Sequence, residues 1–470
     1  MCGVVGVFGK ENATELTLDM MEALQHRGHQ SSGCVLIGND GEVIFERELG
    51  IILNLLKQLK EIDVPLDTFS GIGQLRYGTA GSRDKMENAQ PLYVGRRNAE
   101  IYLAHNGDTP YDKEMREELL AMGAKFSITS DTELICQYIA KSREEDSIDA
   151  ILDGLSSYRG TYAITMLLKD DDGSKLIVAR DHSGNRPLWL GKKDDSWLVA
   201  SEDIAFEAIE GKSIREILPG EMLVISNDGL STRIIPNKNE LKSGSQHCVF
   251  ENIYFSFPNS LSFGVPVGKF QEELGKIVAR KLRNLVLDSD VITNIPDSSN
   301  LFMDGFSSEL NKFPTRAIIR KHNYRSFTES SKLRRESVVR KKHSFNGEKV
   351  SGKRVWVLDD SIVRGSTSRK IIRALRKHGA TWVGMISSAP PVIGQCRKGI
   401  DFEEDLVAGK YLDSGTQNYF LDEIRKEIEA DFLFYTSIED LRESLRVCNA
   451  NPSSFCFGCF TGKEPVFGAW

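Results

Sequence analysis

The chain has 470 residues, of which 60 are Lys or Arg and 67 are Asp or Glu, a net charge of −7. Hydrophobic residues make up 40% and charged residues 27%, the balance of a globular protein long enough to fold without disulfides or structural metals. That balance excludes a protein whose main task is to coat nucleic acid or an anionic membrane, and no segment has the roughly 18 to 20 consecutive apolar residues of a membrane span.

The opening residues, MCGVVGVFGKEN, carry neither the basic start nor the apolar run of a signal peptide. A cytoplasmic protein with reduced thiols is expected. Short apolar runs bounded by turn residues predict strands at Val4–Phe8, Cys34–Ile37, Ile101–Ala104 and Tyr162–Leu168. Helices are expected over Glu15–Gln25 and Ser130–Ser142. In the second, Ser130 reads as the N-cap, Glu133 completes a capping box, and Leu134, Ile135 and Ile139 form one apolar stripe. Clustered strands with helices laid against them predict an α+β layered domain.

The polar stretch Pro236–Gln246 is the expected linker, dividing the chain into domains 2–236 and 247–470. Beyond it the strands Val291–Ile295, Val355–Leu358 and Val383–Ile386 alternate with helical stretches such as Ser368–His378, which Gly379 ends. This rhythm predicts an α/β domain with a mainly parallel sheet, whose ligands sit at the carboxyl ends of the strands. From Arg320 to Arg354 there are twelve Lys or Arg against three Glu. Such a run often makes a solvated face, but its place just before an acidic loop favours a segment that closes over a polyanionic small molecule.

Residues 355–367 read VWVLDDSIVRGST. An apolar strand delivers Asp359 and Asp360 to its end, and a Gly-Ser-Thr turn then opens a helix near Ser368. Main-chain N–H groups of Arg364 to Thr367, with the hydroxyls of Ser366 and Thr367, can surround a phosphate there. The two carboxylates, with Ser361 beside them, suit the vicinal hydroxyls of a sugar. The string resembles the signature of type I phosphoribosyltransferases and, more narrowly, of the amidophosphoribosyltransferase family. The resemblance implies a pyrophosphate-binding loop at Asp297 and Ser298, with Ser298, Asp359 and Asp360 as magnesium neighbours. It also implies a mobile basic loop, with Arg335 and Lys342 as its candidates. The chain departs from the family at Ser299, Asn300 and Leu301, where Gly and Ala are usual.

Earlier in the chain QHRGHQSSG (25–33), LRYGTAG (75–81), NAQP (88–91), AHNG (104–107), SDTE (130–133), RDHSGNRPL (180–188) and LPGEMLVI (218–225) follow in order. Together they resemble the class II glutamine amidotransferase domain, an N-terminal-nucleophile hydrolase, whose fold is a four-layer αββα sandwich. The resemblance implies Cys2 as the nucleophile, activated by its own α-amino group once Met1 is removed. Asn106 and Gly107 would be the oxyanion donors, Arg76 the partner of the substrate carboxylate and Asp131 that of its ammonium. Asp108, Gln74 and Gly78 depart from the usual pattern.

Eight cysteines stand at 2, 34, 136, 248, 396, 448, 456 and 459. Only Cys456 and Cys459 form a CxxC, which alone is compatible with zinc, redox chemistry or neither. With Cys248 and Cys396 they align with the ligands of the family members that hold a 4Fe–4S cluster, while zinc would suit the same thiolates chemically. Phe257 and Asn259 depart from the Arg and Asp usual near Cys248. Cys34, Cys136 and Cys448 read as packing residues.

Two site signatures on one chain imply a coupled reaction, in which ammonia from glutamine replaces pyrophosphate on phosphoribosyl pyrophosphate to give phosphoribosylamine, the first committed step of purine synthesis. By the same resemblance, magnesium is the expected cofactor, purine nucleotides the expected inhibitors, and a homodimer or homotetramer the expected assembly. The departures leave two other readings open: a regulatory or binding paralogue without turnover, and a glutaminase serving another acceptor.

Overall fold

The computed structural model describes the chain apart from residues 10–11, 63–67, 79–84, 239–243, 322–342, 397, 401–405, 413–416 and 464–470. Arg335 and Lys342 therefore lie outside the described residues, as does part of the expected linker. The chain divides into two compact units. The first comprises Met1–Cys248 and the short segment Cys396–Asp401, and the second Val249–Gln395 and Phe402–Glu464.

The first unit contains strands β1 (Gly3–Phe8), β2 (Ser31–Gly38), β3 (Val43–Leu49), β4 (Thr68–Arg76), β5 (Leu92–Arg96), β6 (Ala99–Asp108), β7 (Thr161–Asp170), β8 (Gly173–Arg180), β9 (Trp189–Lys193), β10 (Ser196–Ala200), β11 (Lys212–Glu216), β12 (Glu221–Ser226) and β13 (Gly229–Ile234). They form two sheets, in the orders β11-β9-β10-β1-β4-β2-β3 and β13-β12-β8-β7-β6-β5. Strand pairs in both are antiparallel, as in β1 with β4 and β6 with β7. Val4, Phe8, Val35 and Ile72 of one sheet meet Tyr102, Ala104, Leu167 and Leu176 of the other in a single apolar layer. Helix α1 (Ala13–Ala23) covers the first sheet. Helices α2 (Asp112–Ala121), α3 (Thr132–Lys141) and α4 (Ser147–Ser157) cover the second, where Met115, Leu134, Ile139, Ile151 and Leu155 pack on Ile101, Leu103, Ile164 and Met166. Helix, sheet, sheet and helix make the four-layer αββα sandwich.

Helix α3 departs from the expected capping. It starts at Thr132, with Asp131 at the N-cap position and no side-chain cap bond. Glu133 turns instead to the preceding loop, accepting from the N–H and hydroxyl of Ser127 (2.8 and 3.0 Å) and the N–H of Ile128 (3.1 Å). Loop N–H groups short of an acceptor outbid the cap.

In the second unit β14 (Val291–Asn294), β15 (Arg354–Asp359), β16 (Trp382–Ser387) and β17 (Phe432–Tyr435) form a parallel sheet in that order. Ile371, Ile372 and Leu375 of α7 (Ser366–Lys377), with Ile424 and Ile428 of α8 (Gln417–Ile428), pack on Val355, Val357, Val383 and Met385. Trp356, next along the strand, packs edge-on against Trp382 and Phe432. The long helix α5 (Val267–Val286) and helix α6 (Asn300–Leu310) pack against each other.

Candidate active sites

Strand β1 lies inside the seven-stranded sheet, between β10 and β4, and Cys2 stands at its head. The main-chain N of Cys2 donates to Asn106 Oδ1 at 3.1 Å, and its Sγ lies 3.9 Å from the Tyr77 carbonyl oxygen. Asn106 is buried on β6, and its Nδ2 has no hydrogen-bond partner among the described residues. A buried donor without an acceptor is what an oxyanion requires. Gln74, one of the departures, donates to the His105 carbonyl oxygen at 3.1 Å and so fixes the residue before Asn106.

Arg76 ends β4 and is buried. Burial lowers the pKa of its guanidinium, while the nearby charges of Cys2 and Asp131 raise it, so these three groups share one electrostatic site. Asp131 Oδ2 lies 3.6 Å from His105 Nδ1. Two residues past Asn106, the Asp108 carboxyl is pushed up to about 8 by burial and by the charge of Asp131, against the pull of the Thr109 N–H and of Arg186. Cys2, Arg76, Asn106, Gly107 and Asp131 thus converge from β1, β4, β6 and the start of α3.

Arg27, quoted in a motif but given no role from sequence, donates through Nε to the Cys2 carbonyl oxygen at 3.0 Å. It forms a buried ion pair with Glu202, whose Oε1 also meets His26 Nε2 at 2.8 Å. Nothing in the sequence around Glu202 announces this partner.

In the second unit β15 ends at Asp359, and both Asp359 and Asp360 are buried. Ser298 Oγ donates to Asp360 Oδ1 at 2.7 Å and Ser361 Oγ to Asp360 Oδ2 at 2.8 Å, while the Asp360 N–H donates to Asp359 Oδ1 at 3.0 Å. Burial, then the charge of Asp360, holds the Asp359 carboxyl well above the usual carboxylate range. Asp297 is exposed and pairs with Arg320 at 2.9 Å. Helix α7 begins at Ser366, two residues before the expected start near Ser368. Its N-cap, Gly365, is left-handed (φ 69°) and supplies no side-chain bond, so the first N–H groups and the exposed Ser366 and Thr367 face outward beside Arg364. At the departures, Ser299 is buried and donates to the Ile295 carbonyl oxygen at 2.6 Å, and Asn294 Nδ2 donates to Asn300 Oδ1 at 2.8 Å.

Among the eight cysteines, Cys34, Cys136, Cys248 and Cys448 are buried. Burial pushes the Cys34 thiol up to about 12. Among the described residues no three His, Cys, Asp or Glu side chains are grouped as for a single metal ion. The CxxC turn nevertheless fits thiolate ligation, because the Gly458 N–H donates to Cys456 Sγ at 3.4 Å, as main-chain donors do to ligating sulfurs. The Ile393 and Gly394 N–H groups donate to the Cys459 carbonyl oxygen at 2.9 and 3.0 Å, and Phe250 stacks on Phe460.

A family model described as glutamine amidotransferase domain matches residues 79–208. The chain is 36% identical to the amidophosphoribosyltransferase of Bacillus subtilis (strain 168), over 99% of this chain and 94% of that one. It is 35% identical to the chloroplastic amidophosphoribosyltransferase 2 of Arabidopsis thaliana, over 99% and 79%. Among solved structures, the glutamine phosphoribosylpyrophosphate amidotransferase from B. subtilis complexed with ADP and GMP is similar with a TM-score of 0.86 at 34% identity, covering 99% of this chain and 97% of that one.

Proposed function

The chain belongs to the amidophosphoribosyltransferase family, and we propose that it transfers ammonia from glutamine to phosphoribosyl pyrophosphate, releasing glutamate, pyrophosphate and phosphoribosylamine at the first committed step of purine synthesis. The observation that carries this reading is the pair of donor sets on one chain: Cys2 bonded to Asn106 in the first unit, and Asp359–Asp360 beside the open α7 N-terminus in the second.

At the first site the glutamine carboxylate pairs with Arg76 and its ammonium with Asp131. With Met1 removed, the Cys2 amine takes the thiol proton, the sulfur attacks the side-chain amide, and Asn106 Nδ2 and the Gly107 N–H receive the oxyanion. The amine then returns the proton to the leaving ammonia. At the second site the ribose hydroxyls bond Asp359 and Asp360. The phosphate sits on the N–H groups and hydroxyls of Arg364 through Thr367, and the pyrophosphate lies toward Asp297 and Ser298. Ser298, Asp359 and Asp360 would hold magnesium, which would supply positive charge to the departing pyrophosphate. Cys248, Cys396, Cys456 and Cys459 would hold a structural 4Fe–4S cluster, with zinc the alternative occupant.

The assembly is a homo-oligomer regulated by purine nucleotides, in keeping with the ADP and GMP bound to the B. subtilis structure. The site of action is the cytoplasm; among the described residues no helix is long and apolar enough to cross a membrane. One observation favours a second reading, a paralogue with altered transferase turnover: buried Ser299 and the Asn294–Asn300 bond occupy a loop where the family usually has Gly and Ala.

Protein purified without oxygen, assayed for glutamate and pyrophosphate in parallel, tests both. The reading expects the two products to appear together and only when both substrates and magnesium are present. Glutamate without pyrophosphate supports the paralogue, and neither product from iron-replete, processed protein defeats the reading.

A further inference from the structure

The segment Cys396–Asp401 clusters with the first unit although residues on both sides of it belong to the second. Within it Lys398 is buried, at 1% exposure. Its carbonyl oxygen accepts from Arg186 Nη2 and lies 3.3 Å from the hydroxyl of Thr161. Arg186 and Thr161 are both fully buried. The same Thr161 hydroxyl brackets Asp108, at 3.3 Å from its N–H and 3.3 Å from its carbonyl oxygen. Gly399 follows with φ 103°, and a Cβ there would stand 3.1 Å from the Gly107 carbonyl oxygen and 3.1 Å from Arg186 Nη2. Only glycine meets both the left-handed backbone and this close approach.

The turn sits on a particular edge of β6. Gly107 is opposite Tyr162 on β7, but Tyr162 directs its own N–H to Asp181 Oδ2 (3.1 Å) and accepts the Asp181 N–H (2.9 Å) at its carbonyl oxygen. Gly107 and Tyr162 are therefore a non-hydrogen-bonded pair, and the Gly107 N–H and C=O point away from β7. His105, two residues back on the same edge, donates its N–H to Gln90 Oε1 at 2.7 Å. The next edge N–H along, that of Gly107, lies beyond the end of β5, which pairs with β6 only over Ala99–Leu103. That open edge is the one Gly399 packs against.

We propose that the Lys398–Gly399 turn is a positioning element for glutamine hydrolysis, holding the Gly107 peptide so that its N–H faces the forming oxyanion. The inference rests on Gly107 being an oxyanion donor, as proposed above. The turn touches no substrate. It acts through Gly107 directly, and through Thr161 and Arg186, which tie its carbonyl to the end of β6.

The test compares Gly399→Ala and Thr161→Val with the parent and with Cys2→Ser, as full-length protein with the phosphoribosyl donor and magnesium present. Thr161→Val keeps the side-chain volume and removes only the hydroxyl, so it reports even if Gly399→Ala does not fold. Two rates are measured: glutamine turnover, and alkylation of Cys2 by iodoacetamide, a displacement that builds no oxyanion. The proposal expects kcat for glutamate release to fall about tenfold or more, with KM within about twofold and alkylation unchanged, the pattern of an interaction made in the transition state. Unchanged kcat in both variants, with Cys2→Ser inactive, overturns the proposal and leaves the assignment of the nucleophile standing. Turnover and alkylation falling together also overturn it, since the nucleophile itself is then disturbed. Hydrolysis surviving in Cys2→Ser removes the reading beneath and the proposal with it.

Discussion

Asp108 couples the glutaminase site to pH. Its carboxyl is raised to about 8 in the folded chain, by burial first and Asp131 second, whereas an unfolded chain ionises it near the ordinary value of about 3.9. Between those values the folded state binds the extra proton, so stability contributed by protonated Asp108 declines as pH rises through that window. Thermal melts of Asp108→Asn should accordingly show a higher midpoint than the parent at about pH 9 and little difference at about pH 4. An equal shift at both values rules the linkage out. At this scale the motifs were informative because each is short and contiguous: NAQP, AHNG and SDTE mark the neighbourhood of Gln90, Asn106 and Asp131. The Arg27–Glu202 pair was not legible, since its members are 175 positions apart and meet only after β1 and β10 pair.

Among the elements, the start of α7 depends on its N-cap, Gly365. Gly365 holds the left-handed turn that aims the helix N-terminus outward, and a Cβ there would come within 3.0 Å of Ile428 Cγ2 on α8. Gly365→Ala is expected to cost about 1–2 kcal/mol of stability and to weaken binding of the phosphoribosyl donor, read by denaturant unfolding and by calorimetric titration. Undiminished donor binding would place the phosphate elsewhere. Three of the four strands of the parallel sheet could be read from their apolar runs to within one residue at each end, while β17 was not among them. β6 could not: the run Ile101–Ala104 marks its middle, but the strand continues through the polar residues His105–Asp108. Those residues are kept in the ladder by pairing with β7, a long-range contact with no hydrophobic signature. The capping box at Ser130–Glu133 failed for a related reason, because the tertiary position of Ser127 and Ile128 decided where Glu133 turned.

For the whole molecule, two separate donor sets predict separable defects. Asp359→Asn combined with Asp360→Asn should lower pyrophosphate release at least about a hundredfold while Cys2 alkylation by iodoacetamide keeps the parental rate, because the two sites lie in different units. Loss of both would show that the pair supports folding rather than sugar binding. The sequence divided the chain at one linker, whereas the structure sends Cys396–Asp401 back to the first unit. A return of six residues leaves no trace in composition, because CRKGID has the polar, Gly-containing make-up of an ordinary loop. The setting of β1 has a consequence for biosynthesis. Its six residues are all buried, and Val5 pairs with Ala200 on one side while Val5 also pairs with Gly73 on the other. At ribosomal speeds of about 5–20 residues per second, Ala200 emerges about 10–40 seconds after Val5. Met1 is 1% exposed once the sheet is complete. On the proposed role of Cys2, that interval on the ribosome is when an aminopeptidase has open access to the bond before it, and trimming races the arrival of β10.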